Sequence, residues 1–114
     1  PTGVTAAFNK NLLARINREL GGDFDLRAFS FCARYDEGAG VVRSYLCSDR
    51  AQTVHVPGAG IDVAFEAGET IHTESSYKFT REDMLALLAP GGFAEARTYT
   101  DAAGRYALSL FTRV

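Results

Sequence analysis

Apolar residues recur at three-to-four spacing from Thr5 to Leu20. Phe8, Leu12, Leu13, Ile16 and Leu20 form the stripe, and Asn9, Lys10, Asn17 and Arg18 fall mostly elsewhere. That period predicts an amphipathic helix, with Thr5 or a neighbour as N-cap and Gly21-Gly22 as the stop. Asp23 to Leu26 reads as a connector with a short helical turn. The period then shortens. Strands are predicted over Phe29 to Tyr35 and Val41 to Ser48 around Asp36-Glu37-Gly38-Ala39-Gly40, and over Gln52 to Val56 and Ile61 to Phe65 around Pro57-Gly58-Ala59-Gly60. A fifth runs from Glu69 to Phe79 after the turn at Ala67-Gly68. Short loops between consecutive strands predict an antiparallel meander of about five strands.

The last third changes character. Thr80 caps a predicted helix from Arg81 to about Ala89, ended by Pro90-Gly91-Gly92, and strands over Phe93 to Thr100 and Arg105 to Thr112 follow. The final strand is apolar on both faces, with Tyr106, Leu108 and Leu110 on one and Ala107 and Phe111 on the other. Such strands belong inside a covered sheet. The fold class is α+β: helix, antiparallel meander, helix and two antiparallel strands.

Candidate chemistry concentrates in Gly68-Glu69-Thr70-Ile71-His72-Thr73-Glu74-Ser75-Ser76-Tyr77-Lys78-Phe79. Simple alternation points Ile71, Thr73, Ser75 and Tyr77 to one side and His72, Glu74, Ser76 and Lys78 to the other. Glu74 and Ser76 then stand about 6.6 Å apart. A carboxylate and a hydroxyl at that spacing can bracket a small ring bearing one donor and one acceptor, such as an imidazole; a solvated strand face explains the same pattern. At the first helix, Gly3-Val4-Thr5-Ala6-Ala7-Phe8 offers backbone N–H groups and a positive dipole end suited to a carboxylate, to which Thr5 adds a hydroxyl. Capping of its own helix is the plainer role for Thr5.

With 114 residues the chain is large enough for one core, and its formal charge of −2 leaves no electrostatic footprint for nucleic acid or an anionic membrane. No apolar run approaches the length of a membrane span and no signal peptide is recognised, so a cytoplasmic setting is expected. A hairpin centred on Ala39-Gly40 would set Cys32 opposite Cys47, which makes a disulfide conceivable; two cysteines without a secretory signal are more often reduced. His55 and His72 have no zinc spacing to either cysteine, so no metal is expected. The glycine groups punctuate turns, and none reads as a strand-to-helix phosphate loop. The start at Pro1, without Met and directly before structure, suggests a piece of something longer.

The run Gly3-Val4-Thr5-Ala6-Ala7-Phe8-Asn9-Lys10-Asn11-Leu12-Leu13-Ala14-Arg15-Ile16-Asn17-Arg18-Glu19-Leu20, with Asp23-Phe24, resembles the histidine-specific, S-adenosylmethionine-dependent Nα-methyltransferases of ergothioneine biosynthesis. Gly68-Glu69, Thr73-Glu74-x-Ser76-x-Lys78-Phe79 and Thr100-Asp101-x-x-Gly104 continue the resemblance across essentially the whole chain. It implies that residues 1–78 are most of a substrate-binding domain. Residues 79–114 would be the last helix and strand pair of a Rossmann-like methyltransferase domain. The core that binds S-adenosylmethionine would precede Pro1. It further implies that Glu74 and Ser76 hold the substrate imidazole, that Thr5 lies in the pocket, and that the parent enzyme methylates the α-amine of histidine to trimethylhistidine.

Three departures from the family stand out. Val42-Arg43-Ser44 stands where the family reads Ile-Glu-Met, which makes the pocket at Ser44 roomier and more polar; Phe31 replaces a histidine, and Thr98 a frequent tryptophan. A related methyltransferase of another amino acid or amine is the alternative these departures leave open. A stand-alone, non-catalytic binding or assembly module is a second. Residues 1–114 alone are expected to be catalytically silent, and the strands from Phe93 to Thr112 to pair with another copy or leave a sticky edge. Sedimentation should therefore show concentration-dependent association; a clean monomer at high concentration would contradict this.

Overall fold

The computed structural model describes residues 3–114, which form two helices and three antiparallel sheets in an α+β arrangement. The chain divides into two compact units, ending and beginning at Tyr77 and Lys78. In the first, helix α1 (Val4–Leu20) enters through Gly3 at φ 90° and leaves through Gly21 at φ 65°. Both values lie where only glycine is unstrained. Thr5 is consequently inside the first turn and not the N-cap, because Gly3 already supplies the carbonyl that Ala7 N–H reaches at 2.8 Å.

The strands of this unit are β1 (Phe29–Asp36), β2 (Val41–Ser48), β3 (Gln52–Val56), β4 (Ile61–Phe65) and β5 (Thr70–Tyr77). They are antiparallel as expected, but their order departs from a consecutive meander: β1-β2-β5 make one sheet and β3-β4 a separate hairpin. Ser48 explains the return of the chain. Its backbone N–H donates to Glu69 O and its carbonyl accepts from Gly68 N–H, each at 2.8 Å. Residues 49–67 thus leave the sheet as an excursion, and β5 comes back against β2.

The β1-β2 hairpin turns one residue earlier than the sequence suggests. Asp36 Oδ1 accepts from Ala39 N–H at 3.0 Å, and Gly40 at φ 60° closes the loop. Cys32 therefore faces Tyr45, Cys47 faces Ser30, and both thiols are free. The disulfide that the other register allowed is excluded as a directly opposed pair.

The core joins Leu13 of α1 to Phe24, Ala28, Phe29, Leu46, Val54, Val56 and Phe65. Phe29 lies at its centre, edge-on to Phe24 at 5.6 Å and to Phe65 at 5.4 Å, an arrangement aromatic quadrupoles favour. The buried stripe of α1 is Asn9, Leu13 and, in part, Ile16, whereas Phe8 is 70% exposed. The stripe is thus rotated by one position from the purely apolar one. The Asn17 amide fixes the connector by donating to Phe24 O at 2.8 Å and accepting from Phe24 N–H at 2.9 Å.

The second unit holds α2 (Arg81–Leu88), β6 (Phe93–Thr100) and β7 (Ala107–Arg113). Thr80 caps α2, as the sequence indicates, and the structure makes the cap a reciprocal box with Asp83. Ala89–Gly91 continue as a 3-10 turn, and the last strand starts two residues later than predicted. Asp101 Oδ1 accepts from the backbone N–H groups of Arg105 and Tyr106 and so keeps that stretch in the turn. Glu95 gathers Arg81, Thr98 and Ser109, and Arg81 holds its carboxyl below the usual range.

Two outcomes follow from this packing. A Cβ on Gly58 would lie 2.6 Å from Leu20 O, whereas one on Gly38 meets only the Asp36 side chain at 3.6 Å. Gly58→Ala should lower stability by roughly 1–3 kcal/mol in chemical denaturation and Gly38→Ala hardly at all. In the β3-β4 hairpin, His55 Nδ1 is 2.7 Å from Asp62 Oδ1, and this bond, with the Asp62 charge, raises the imidazole pKa. A raised histidine stabilises the fold below its unfolded value of about 6.5 and loses that contribution as pH rises through the folded value. The gap in urea midpoint between wild type and His55→Gln should accordingly close as pH rises from about 6 to about 9.

Candidate functional site

A β-bulge organises the first unit's polar residues. Between β2 and β5, Val42 pairs with Ser76 and Ser44 with Glu74, but Tyr45 then pairs with His72, so Thr73 is the extra residue. An inserted residue reverses alternation from that point on. Cross-strand partners share a face, so Glu74 and Ser76 share the face of Ser44 and Val42. Leu46 carries that same face into the core, where Ile71 is its partner. His72 and Ser75 lie on the opposite face: Ser75 Oγ is 3.0 Å from His72 Nε2, and the His72 ring packs on Tyr45 at 5.1 Å.

This corrects simple alternation in two respects. His72 does not share a face with Glu74, and Thr73 does not oppose it. Thr73 and Glu74 instead line one cavity of about 330 Å³ with Phe8, Asn9, Asn11, Leu12 and Arg15 of α1. Positions 8, 11, 12 and 15 form one helical stripe, which explains why Phe8 is exposed: it walls the cavity and does not enter the core. The Arg15 guanidinium at the rim is engaged by Glu19 at 3.0 Å and pulls that carboxyl below its ordinary range.

Of the residues singled out in the sequence, Glu74 and Ser44 come together. Ser44, only 4% exposed, makes a long hydrogen bond of 3.5 Å from Oγ to Glu74 Oε1. Ser76 follows Glu74 on the same face. Thr5 is exposed, one helical turn before Phe8 and Asn9 on α1, and is not part of the cavity wall. Phe31 packs against the core cluster, opposite Leu46. Thr98 belongs to the Glu95 network of the second unit.

Sequence reasoning missed Asn9, Thr73 and Phe8. Asn9 is 3% exposed, donates from Nδ2 to Thr5 O at 2.9 Å, and receives Thr73 Oγ1 at 2.5 Å. A signal for it existed, since Asn9 precedes Leu13 by four and Ile16 by seven and so sits on their stripe. No sequence pattern announced the bulge at Thr73.

Among the described residues no three His, Cys, Asp or Glu side chains converge as metal ligands, and no helix is long and apolar enough to cross a membrane. At the start of α2 the capping box engages Thr80 N–H and Asp83 N–H.

A family model described as histidine-specific, SAM-dependent methyltransferase matches residues 1–113. The histidine N-alpha-methyltransferase of Mycolicibacterium smegmatis is 44% identical over 111 residues, which are 97% of this chain and 35% of that protein. Its namesake in Mycobacterium tuberculosis is 44% identical over 110 residues, 96% of this chain and 34% of that protein. Ergothioneine biosynthesis protein 1 of Schizosaccharomyces pombe is 28% identical over 114 residues, 99% of this chain and 14% of that protein. The chain spans about a third of the length of the mycobacterial relatives. The match of the family model along almost every residue, with the helix and bulged strand that carry the shared motifs, shows that this chain belongs to the histidine-specific, S-adenosylmethionine-dependent methyltransferase family.

Proposed function

We propose that this chain is the substrate-recognising C-terminal part of an enzyme that methylates the α-amine of histidine, with trimethylhistidine as product and ergothioneine synthesis as its setting. The single observation that carries the reading is the bulge-directed position of Glu74, which lines the cavity beside Phe8 while Ser44 approaches its carboxylate from β2. In this reading Glu74 accepts the imidazole N–H, and Ser76, next on the same face, hydrogen-bonds the second ring nitrogen. Phe8 supplies an apolar wall, and Thr5 lies toward the helix N-terminus, where a substrate carboxylate is electrostatically favoured. Residues 1–78 correspond to most of a substrate domain, and residues 79–114 to the end of a methyltransferase domain.

S-adenosylmethionine supplies the methyl group as a sulfonium, from residues other than those described. The work of this chain is to bind and orient the acceptor so that its amine is correctly placed, which is where proximity lowers a barrier. Selectivity has a clear origin. A polar pocket built for a ring with two nitrogens is left with unpaired groups by an isostere that lacks them. A setting in the cytoplasm accords with a small-molecule amino-acid substrate. The departure at Ser44 favours one variant of this reading, a related amino acid with a bulkier side chain, because a small buried hydroxyl stands beside Glu74.

Calorimetric titration of the full-length enzyme with histidine and with tryptophan, S-adenosylhomocysteine present, decides between them. Histidine should bind, and Glu74→Ala should abolish that binding while the fold is kept. A folded enzyme that ignores histidine and binds tryptophan would move the assignment to the related substrate, with Ser44→Met and Phe31→His as the reversions to make.

A further inference from the structure

The pairing of Asn9 with Thr73 is unusual for a helix–sheet contact. Leu13 and Ile16, on the same stripe of α1, meet the sheet through apolar contact alone, whereas Asn9 meets it through a hydrogen bond. Thr73 Oγ1 lies 2.5 Å from Asn9 Oδ1 and 3.0 Å from Ser44 O, so one hydroxyl proton faces two acceptors. The Asn9 Nδ2 is itself committed to Thr5 O at 2.9 Å. The orientation of the amide is thereby set, with Oδ1 toward the sheet. The extra residue of the bulge is thus held from the helix on one side and from the partner strand on the other, immediately before Glu74.

We propose that Asn9 and Thr73 form a latch that positions Glu74 for imidazole recognition, a role that rests on the substrate reading above. The reason is geometric. Without the inserted residue, strict alternation would send Thr73 and Glu74 to opposite faces, so a bulge that slips along the strand turns the carboxylate out of the cavity. An apolar residue at position 73 could fill the same space, but it would not fix which residue of β5 is the inserted one. The hydroxyl does so, because position 73 is where one side-chain donor lies within reach of both Asn9 Oδ1 and Ser44 O. Asn9 and Thr73 are positioning residues, and Glu74 is the group they act through.

The test uses the full-length enzyme, with KM for histidine, kcat, and the Kd of S-adenosylhomocysteine as readouts. Thr73→Val keeps the shape and removes the hydroxyl. It should raise KM for histidine about tenfold, because Glu74 is no longer held in place, and leave S-adenosylhomocysteine affinity unchanged. Thr73→Ser should recover most of the loss. In a Glu74→Gln background, Thr73→Val should add less than about twofold, because residues acting as one unit are not additive. Additive losses, a Thr73→Ser variant as weak as Thr73→Val, or a parallel fall in S-adenosylhomocysteine affinity would overturn the latch and leave Thr73 a structural contact. If Glu74→Gln alone leaves histidine KM unchanged, the imidazole reading itself falls and the latch falls with it. Should Thr73→Val not fold, Asn9→Ala opens the latch from the helix side and is judged by the same criteria.

Discussion

One extra residue in β5 is the constraint from which the rest of the first unit's polar architecture follows. Thr73 has no register partner on β2, and its insertion shifts the pairing from Ser44–Glu74 to Tyr45–His72. Below the bulge the strand presents Ile71 to the core; above it, the same face presents Glu74 and Ser76. A single strand thereby serves the hydrophobic core at one end and a polar cavity at the other, which uninterrupted alternation could not do with this sequence. A bulge leaves ladder groups to be satisfied by other means, and Thr73 Oγ1 beside Ser44 O is one such arrangement.

The helix accommodates this division. Its 9-13-16 stripe lies on the sheet and its 8-11-12-15 stripe walls the cavity, so two adjacent faces of α1 perform different tasks. The core fixes the helix through Leu13 against Phe29 and Leu46, and Asn17 and Gly58 fix its far end against the connector and the β3-β4 hairpin. Rigid placement at that end makes the N-terminal half of α1 a dependable wall.

Membership of the methyltransferase family agrees with this division of labour. The first unit contributes a sheet, a helix and a cavity lined by one carboxylate, and in the second a capping box opens α2. Ser44 is buried beside the carboxylate that lines the cavity, and its hydroxyl reaches Glu74 Oε1, so a substitution there acts on that carboxylate.

The sequence by itself determined both helices, seven strands within a residue or two, the cap at Thr80 and the family. These rest on local periodicity, turn chemistry and collinear motifs, which are properties of neighbouring residues. It also put Glu74 and Ser76 on one face, since two-residue spacing survives a bulge that precedes both. Only the tertiary structure decided that β5 pairs with β2 and leaves β3-β4 aside, that Cys32 faces Tyr45, that Asn9 is buried, and that Thr73 joins Glu74 in one cavity. Each of those depends on register or on which strand returns to which, and backbone hydrogen bonds are the same at every register. The choice among registers is made by contacts distant in sequence, such as Ser48 with Gly68 and Glu69 and Asn9 with Thr73, and no local pattern encodes them.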